Sequence, residues 1–237
     1  MPAGTRLALR ESNTPSQSLP ARRHPQLMRW AYGRYYPRSD LLICQHRQTE
    51  QEMEQTFGVD RHCILALPNP VPEAQLRARA ANPQRPAGPG QHFVAAGRLH
   101  RQKGFDRLID LFAGLPETAR LTIYGEGSDR EPLLQQIRSL QVENRVLLAG
   151  YSDNRPAALA GADACVVSSR WEGLPNVALE ALAVGTPVIA TPEAGGINEL
   201  AEAAAPGTVA VAPWGEAFAA ELAAREVRQV MGPAPSL

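Results

Sequence analysis

Two glutamates give the clearest chemical signal in the chain. Glu172 stands in a Gly/Pro-containing loop, Ser168-Ser169-Arg170-Trp171-Glu172-Gly173-Leu174-Pro175, just after the apolar run Ala164-Cys165-Val166-Val167. Glu180 stands inside the helix-like stretch that follows, about two turns further on. A loop carboxylate and a helix carboxylate so placed can face one pocket at the carboxyl end of a strand, where open α/β sheets bind ligands. The apolar neighbours Val177, Ala178, Leu179, Ala181 and Leu182 crowd Glu180, and a carboxylate in such surroundings wants a partner. The free amides of Gly173, Leu174, Asn176 and Val177 open that helix and can hold a phosphate or a sugar hydroxyl; Pro175 lacks an amide hydrogen but suits a helix start.

A second chemical locus lies upstream, in Gly97-Arg98-Leu99-His100-Arg101-Gln102-Lys103-Gly104-Phe105. It joins a strand to a helix, and Arg98 and Lys103 there can hold a diphosphate, the first as a planar fork of donors and the second as a point charge. Two turns that follow further strands, Gly125-Glu126-Gly127-Ser128 and Gly150-Tyr151, complete the set. The first is half of a dinucleotide fingerprint, but Arg130 occupies the third glycine's position, which argues against a nicotinamide site. Each feature has a plainer reading: solvated surface cations for Arg98 and Lys103, a solvated loop carboxylate for Glu172, an exposed helix carboxylate for Glu180, a tight turn for the glycines, packing for Tyr151. Their order along the chain is what favours a shared site. The five histidines show no metal-ligand spacing, so no metal and no cofactor is expected.

These residues need a scaffold, and the chain from residue 92 supplies one by alternation. Strands are expected at 92–96, 120–124, 145–149, 164–167, 187–190 and 208–211, with helices at 105–115, 129–141, 156–159, 176–184 and 196–203. Gly185 followed by Thr186-Pro187 is a helix stop. Strands alternating with helices imply a parallel sheet with right-handed crossovers. Residues 1–90 hold eleven of the 21 prolines and few strand signals: strands at 7–10 and 40–44, a helix at 49–57, a rigid turn at Pro68-Asn69-Pro70-Val71-Pro72. A helix is expected at 216–230 and a frayed tail beyond. The division expected is a partial first domain at 1–82, a linker at 83–91, a nucleotide-binding-type α/β domain at 92–212, and a C-terminal helix and tail at 213–237.

Lysine plus arginine equals aspartate plus glutamate, at 24 each, which argues against nucleic acid as the partner. The three cysteines, Cys44, Cys63 and Cys165, show no CxxC spacing and fit a reducing cytoplasm; Cys165 is expected to pack as a small hydrophobe. The start, Met1-Pro2-Ala3-Gly4-Thr5, shows no signal-peptide pattern, and no run approaches a membrane span.

The Ser168–Ala190 segment, with its paired glutamates, resembles the retaining GT-B glycosyltransferases of family 4, the glycosyl transferases group 1. Arg10-Glu11-Ser12-Asn13, Leu41-Leu42-Ile43 and Ile64-Leu65-Ala66-Leu67-Pro68-Asn69-Pro70-Val71 are similar to the last part of that fold's first domain and its crossover. The resemblance implies an α/β, GT-B-like chain with one complete Rossmann-like parallel-sheet C-terminal domain and a partial N-terminal α/β domain, roughly its first half absent. It implies that Arg98 and Lys103 neutralise a leaving nucleoside diphosphate without a metal, and that Glu172 lies by the transferred sugar. It further implies that Glu180 binds the ribose hydroxyls and that Gly97, Gly125, Gly127, Gly150, Tyr151, Gly173, Leu174, Asn176 and Val177 line the donor site. The partners implied are a nucleotide-sugar donor and a glycan or lipid-linked acceptor, with a cytoplasmic location and a peripheral contact at the inner membrane face. The alternatives are a fragment that binds nucleotide sugar without turnover and a sugar-nucleotide epimerase of the same architecture; the paired glutamates favour the transferase.

Overall fold

The computed structural model describes residues 4–85 and 89–228. Residues 1–3, residues 86–88 of the expected linker, and the end of the expected C-terminal helix with its tail lie outside the described residues. The chain falls into two compact units, one formed by Met1–Pro70, Trp171–Pro175 and Glu193–Glu199, the other by Val71–Arg170, Asn176–Pro192 and Leu200–Leu237.

The first unit is a small parallel sheet with helices. Its elements are β1 (Ala8–Glu11), α1 (Pro15–Ser18), α2 (Pro25–Tyr35), β2 (Leu41–Cys44), α3 (Arg47–Gln55) and β3 (Ile64–Ala66). The strands run in the order β1-β2-β3. Leu42, Cys44, Met53, Phe57, Val59 and Ile64 form its core, with Met28, Tyr32 and Tyr36 packed against them. The carboxylate of buried Glu11 accepts from both tyrosine hydroxyls, Tyr32 at 2.8 Å and Tyr36 at 2.7 Å, and this ties α2 to the end of β1. The sequence reading gave α2 no element at all. Burial pushes the Cys44 thiol up to about 12, with Glu11 and Glu50 adding to the shift, so it stays protonated.

The second unit holds α4 (Glu73–Arg79), β4 (His92–Ala96), α5 (Phe105–Ala113), β5 (Arg120–Tyr124), α6 (Arg130–Ser139), β6 (Val146–Gly150), α7 (Arg155–Ala160), β7 (Ala164–Val167), α8 (Asn176–Ala183) and β8 (Val188–Ala190). After α9 (Ile197–Ala203), which begins in the first unit, come β9 (Val209–Val211) and α10 (Glu216–Ala223). The six strands are all parallel, in the order β6-β5-β4-β7-β8-β9. β4 and β7 are buried at every residue, as central strands covered on both faces must be. Helix α5 turns Phe105, Leu108, Ile109 and Phe112 onto the sheet, a spacing of three and four residues, and Phe112 meets Phe93 edge to face at 5.6 Å. Cys165 is fully buried, as expected of a packed hydrophobe.

One buried carboxylate organises the sheet's far end. Asp163 is 0% exposed and accepts from Arg85 (2.9 and 2.6 Å), from the His92 backbone N–H (2.6 Å) and from the Arg228 backbone N–H. Burial alone would raise its carboxyl, but the hydrogen bonds from Arg85, His92 and Arg228 outweigh that and hold it below the usual carboxylate range. The same contacts correct the expected helix at 216–230. The Gln91 amide caps the carbonyls of Leu222 and Ala223, and Arg228 is drawn to Asp163 and the Gly185 carbonyl, so α10 stops at Ala223. Among the described residues no helix is long and apolar enough to cross a membrane.

Candidate functional site

In the second unit the strand order reverses between β4 and β7, because β5 and β6 lie to one side and β8 and β9 to the other. Such a switch point opens a crevice at the carboxyl ends of the two strands. Residues 97–104 leave β4 there and residues 168–170 leave β7. The two loops are stitched together. Ser168 Oγ donates to the Lys103 carbonyl at 2.9 Å, and the Arg170 backbone N–H to the Gln102 carbonyl at 2.7 Å. Arg107 donates to the Ser168 carbonyl at 3.0 and 2.7 Å and to the Ser169 carbonyl at 2.8 Å. Arg170 forks onto Asp106, both bonds at 2.7 Å. Burial would raise the Asp106 carboxyl, but the Arg170 fork overrides it and holds the group below its ordinary value.

This frame presents the two predicted cations. Arg98 is exposed and has no hydrogen-bond or ion-pair partner among the described residues. Lys103 closes the 3-10 turn Arg101–Lys103, and its aliphatic stem lies across Gly97, where an added Cβ would sit 2.9 Å from the lysine Cε. His100 caps that turn, its Nδ1 accepting from the Gln102 N–H at 3.3 Å, so it is a loop-building residue.

The predicted glycines converge by backbone contact. Gly97 N–H donates to the Tyr124 carbonyl (3.0 Å), Gly125 N–H to the Gly150 carbonyl (2.8 Å) and Leu99 N–H to the Glu126 carbonyl (2.9 Å). The ends of β4, β5 and β6 thus form one laced rim. Gly125 must be glycine: its φ is +143° and a Cβ would lie 1.9 Å from the Gly97 oxygen. The backbone is equally close at Gly127, where a Cβ would lie 2.2 Å from the Leu99 oxygen. Tyr151 is 73% exposed, so it does not pack in the core, and its hydroxyl meets Asp153 at 3.1 Å.

Asn176 and Val177 open α8, and Glu180 lies on its second turn. Glu180 is engaged by Arg155, the first residue of α7, at 3.0 and 3.1 Å. Sequence reading missed Arg155; its place just past the turn that follows β6 was the available signal.

Glu172, Gly173 and Leu174 belong to the first unit, and Glu172 is only 7% exposed rather than a solvated loop carboxylate. Thr14 Oγ1 donates to the Glu172 carbonyl (3.4 Å), Gln45 Oε1 accepts from the Leu174 N–H (2.9 Å), and Gly196 N–H donates to the Gly173 carbonyl (2.6 Å). Gln45 and His46 directly follow β2 and were not singled out by sequence reading. His46 Nε2 lies 3.3 Å from Thr14 Oγ1 and 2.9 Å from Thr49 Oγ1. Glu199 accepts from the N–H groups of Arg47 (2.7 Å) and Gln48 (3.3 Å), so it caps α3 rather than its own helix. Among the described residues no group of three or more His, Cys, Asp or Glu is arranged to hold a metal ion.

Comparison with known proteins bears on the family and the fold. The family model described as glycosyl transferases group 1 matches residues 79–226. An uncharacterised glycosyltransferase of Methanocaldococcus jannaschii is 30% identical over 195 residues, covering 79% of this chain and 48% of the relative. The N-acetylgalactosamine-N,N'-diacetylbacillosaminyl-diphospho-undecaprenol 4-alpha-N-acetylgalactosaminyltransferase of Campylobacter jejuni is 28% identical over 197 residues, covering 83% and 53%. Among solved structures, HepE of Anabaena in complex with UDP-glucose superposes with a TM-score of 0.70 at 25% identity, covering 92% of this chain and 60% of that one. The chain therefore spans about half the length of the curated relatives it matches, and its two parallel-sheet units are those of a GT-B-like fold.

Proposed function

The chain belongs to the glycosyl transferases group 1, and from that premise we propose that it serves the transfer of a sugar from a nucleoside-diphosphate donor to an acceptor hydroxyl, with the anomeric configuration retained. The observation that carries this reading is the switch point of the six-stranded sheet, where the loop bearing Arg98 and Lys103 is stitched to the loop after β7; Glu180 stands on α8, the next helix along the chain. HepE, the solved structure at 25% identity, is in complex with UDP-glucose, which supports a nucleotide sugar as donor.

In this mechanism the bond from the sugar's anomeric carbon to the diphosphate oxygen loosens first, its electron pair leaving with the diphosphate. Arg98 and Lys103 stabilise that charge as preorganised donors, and no metal ion takes part. The acceptor oxygen bonds to the anomeric carbon from the face the diphosphate leaves, and its proton passes to the departing phosphate oxygen. Glu180 holds the ribose hydroxyls, the Gly97–Gly125–Gly150 rim and Tyr151 border the nucleotide, and Asn176 and Val177 offer helix-start amides. Glu172, with Gly173 and Leu174, serves the transferred sugar. The acceptor is a glycan or a lipid-linked glycan, in keeping with the diphospho-undecaprenol acceptor in the name of the Campylobacter relative. The protein works in the cytoplasm with a peripheral contact at the inner membrane face.

The span of about half the relatives' length favours a second reading, donor binding by this chain with turnover only in a longer one. Titration calorimetry against UDP, GDP, ADP and their sugar conjugates tests the donor site, and a turnover assay separates the two readings. One base should bind in the micromolar range, and Arg98→Ala with Lys103→Ala should abolish it; equal affinity in that double variant would overturn the site. Excess chelator should leave both binding and turnover unchanged.

A further inference from the structure

One side chain of α5 is committed to the loop that leaves β7. Arg107 stands in the first turn of α5 and is half-buried. Its guanidinium donates to two successive carbonyls, twice to Ser168 and once to Ser169, and both of those residues are buried. They are the first residues past β7, where a chain leaving the ladder must find new partners for its backbone groups. Thr191 Oγ1, just past β8, also donates to the Ser169 carbonyl, at 2.8 Å. The start of α5 lies so near this loop that a Cβ on Gly104 would sit 2.2 Å from the Ser168 oxygen and 2.8 Å from Arg107 Nε.

The same guanidinium lies on an aromatic ring. Arg107 Cζ is 4.3 Å from the centre of the Trp214 ring, a separation at which a cation is attracted to the π face. The two kinds of contact do not compete, because a guanidinium donates at its edge and stacks with its face. Trp214 stands between β9 and α10 and leans on Phe218, ring centres 5.0 Å apart. Phe218 is fully buried in the core of the six-stranded sheet. A continuous line of contacts therefore runs from the core to the switch point, through Phe218, Trp214, Arg107 and Ser168. The Ser168 hydroxyl carries it on to the Lys103 carbonyl, and the Lys103 stem crosses Gly97.

We propose that Arg107, steadied by Trp214, is a positioning residue for the donor diphosphate. It touches no reacting atom. It sets the backbone of Ser168 and Ser169 and, through the Ser168 hydroxyl, the turn that ends in Lys103, so that the lysine is in place before the phosphates arrive. A lysine in place of Arg107 would keep the charge but donate from a single point, and it could not fork across two carbonyls. The inference rests on the reading of Lys103 as a diphosphate-binding cation, so Lys103 is tested beside it. A contact that served stability alone would weaken the grip on every part of a nucleotide alike, or on none.

The test is titration calorimetry of the whole chain with UDP and UMP, GDP and GMP, and ADP and AMP. The ratio of diphosphate to monophosphate affinity isolates the terminal phosphate from the base and ribose. The parent chain should prefer one diphosphate, and Lys103→Ala should remove most of that preference. Arg107→Lys should lower the ratio by about tenfold with the monophosphate affinity unchanged. Trp214→Leu keeps an apolar side chain against Phe218 but loses the π face, and should lower the ratio by about threefold or more; Trp214→Phe should restore it. Trp214 is only half-buried, so this pair decides the matter if Arg107→Lys does not fold. An unchanged ratio in Arg107→Lys, the same ratio in Trp214→Leu as in Trp214→Phe, or equal losses of monophosphate and diphosphate affinity would overturn the inference and leave the donor site standing. A parent chain that prefers no diphosphate, or a Lys103→Ala chain that keeps the preference, would overturn the donor-site reading and the inference with it.

Discussion

Arg155 grips Glu180 in a fork, its Nε donating to one carboxylate oxygen at 3.1 Å and its Nη2 to the other at 3.0 Å. The two residues sit on successive helices, α7 and α8, and both side chains are largely shielded. Arg155 therefore fixes the rotamer of the carboxylate proposed to meet the ribose before any ligand arrives. The remaining lone pairs of Glu180 stay available to hydroxyl donors.

Arg155→Ala should then weaken nucleotide binding by about tenfold while removing about 1–3 kcal/mol of stability, because a half-buried carboxylate loses its partner. Glu180→Ala should cost more affinity than Arg155→Ala. Calorimetry with the preferred nucleotide and urea unfolding check the pair; an Arg155→Ala protein that binds as tightly as the parent would contradict the positioning role.

Two glycines with positive φ separate crowding from backbone strain. At Gly185 (φ +78°) an added Cβ meets nothing within 4 Å, whereas at Gly125 (φ +143°) it would overlap the Gly97 oxygen. Gly185→Ala should cost only about 1–2 kcal/mol of left-handed strain. Gly125→Ala should cost clearly more and should also abolish nucleotide binding, since it drives apart the rim formed by β4 and β5. Matched urea midpoints for the two variants decide this.

Two buried histidines set an acid limit on stability. Burial pushes His46 and His92 down from 6.5 to about 4, with Arg85 and Arg120 adding to the effect on His92 and Asp163 opposing it. Glu199, 3.9 Å from His46 Nδ1, is the carboxylate facing the first of them. Both folded values lie below the free one, so on acidification the unfolded chain takes up protons first. Stability is complete above pH 6.5 and drains away between 6.5 and about 4, by on the order of 3 kcal/mol for each residue. Thermal midpoints measured across that window should fall, and His46→Gln with His92→Gln should flatten the slope; an unchanged slope would rule the histidines out.

The sheet of the second unit was legible because its strands are short apolar runs bounded by Gly and Pro. β4, β5 and β7 begin and end where the sequence places them, β6 is shifted by one residue at both ends, and β8 and β9 each start one residue later. Helix α2 was not legible, because Met28, Tyr32 and Tyr36 mark one face while Leu27 and Trp30 blur the period on the other. β3 is only three residues long, below what alternation can signal. Side-chain partnerships were the least readable. Arg155 and Glu180 are 25 residues apart, and Gln45 and Leu174 are 129 apart. No local pattern encodes contacts that only the fold creates. The motif residues on the strand ends were visible because each follows its own strand directly.

Arg85 lies ahead of the first strand of the larger sheet and Arg228 beyond its last helix, yet both close on Asp163. One carboxylate thus fastens the chain's way in to its way out. A domain clasped at its own threshold carries its closure with it, whatever is spliced in front of it. Such a unit should tolerate permutation, its two adjacent ends joined and a surface loop opened, with the sheet left undisturbed.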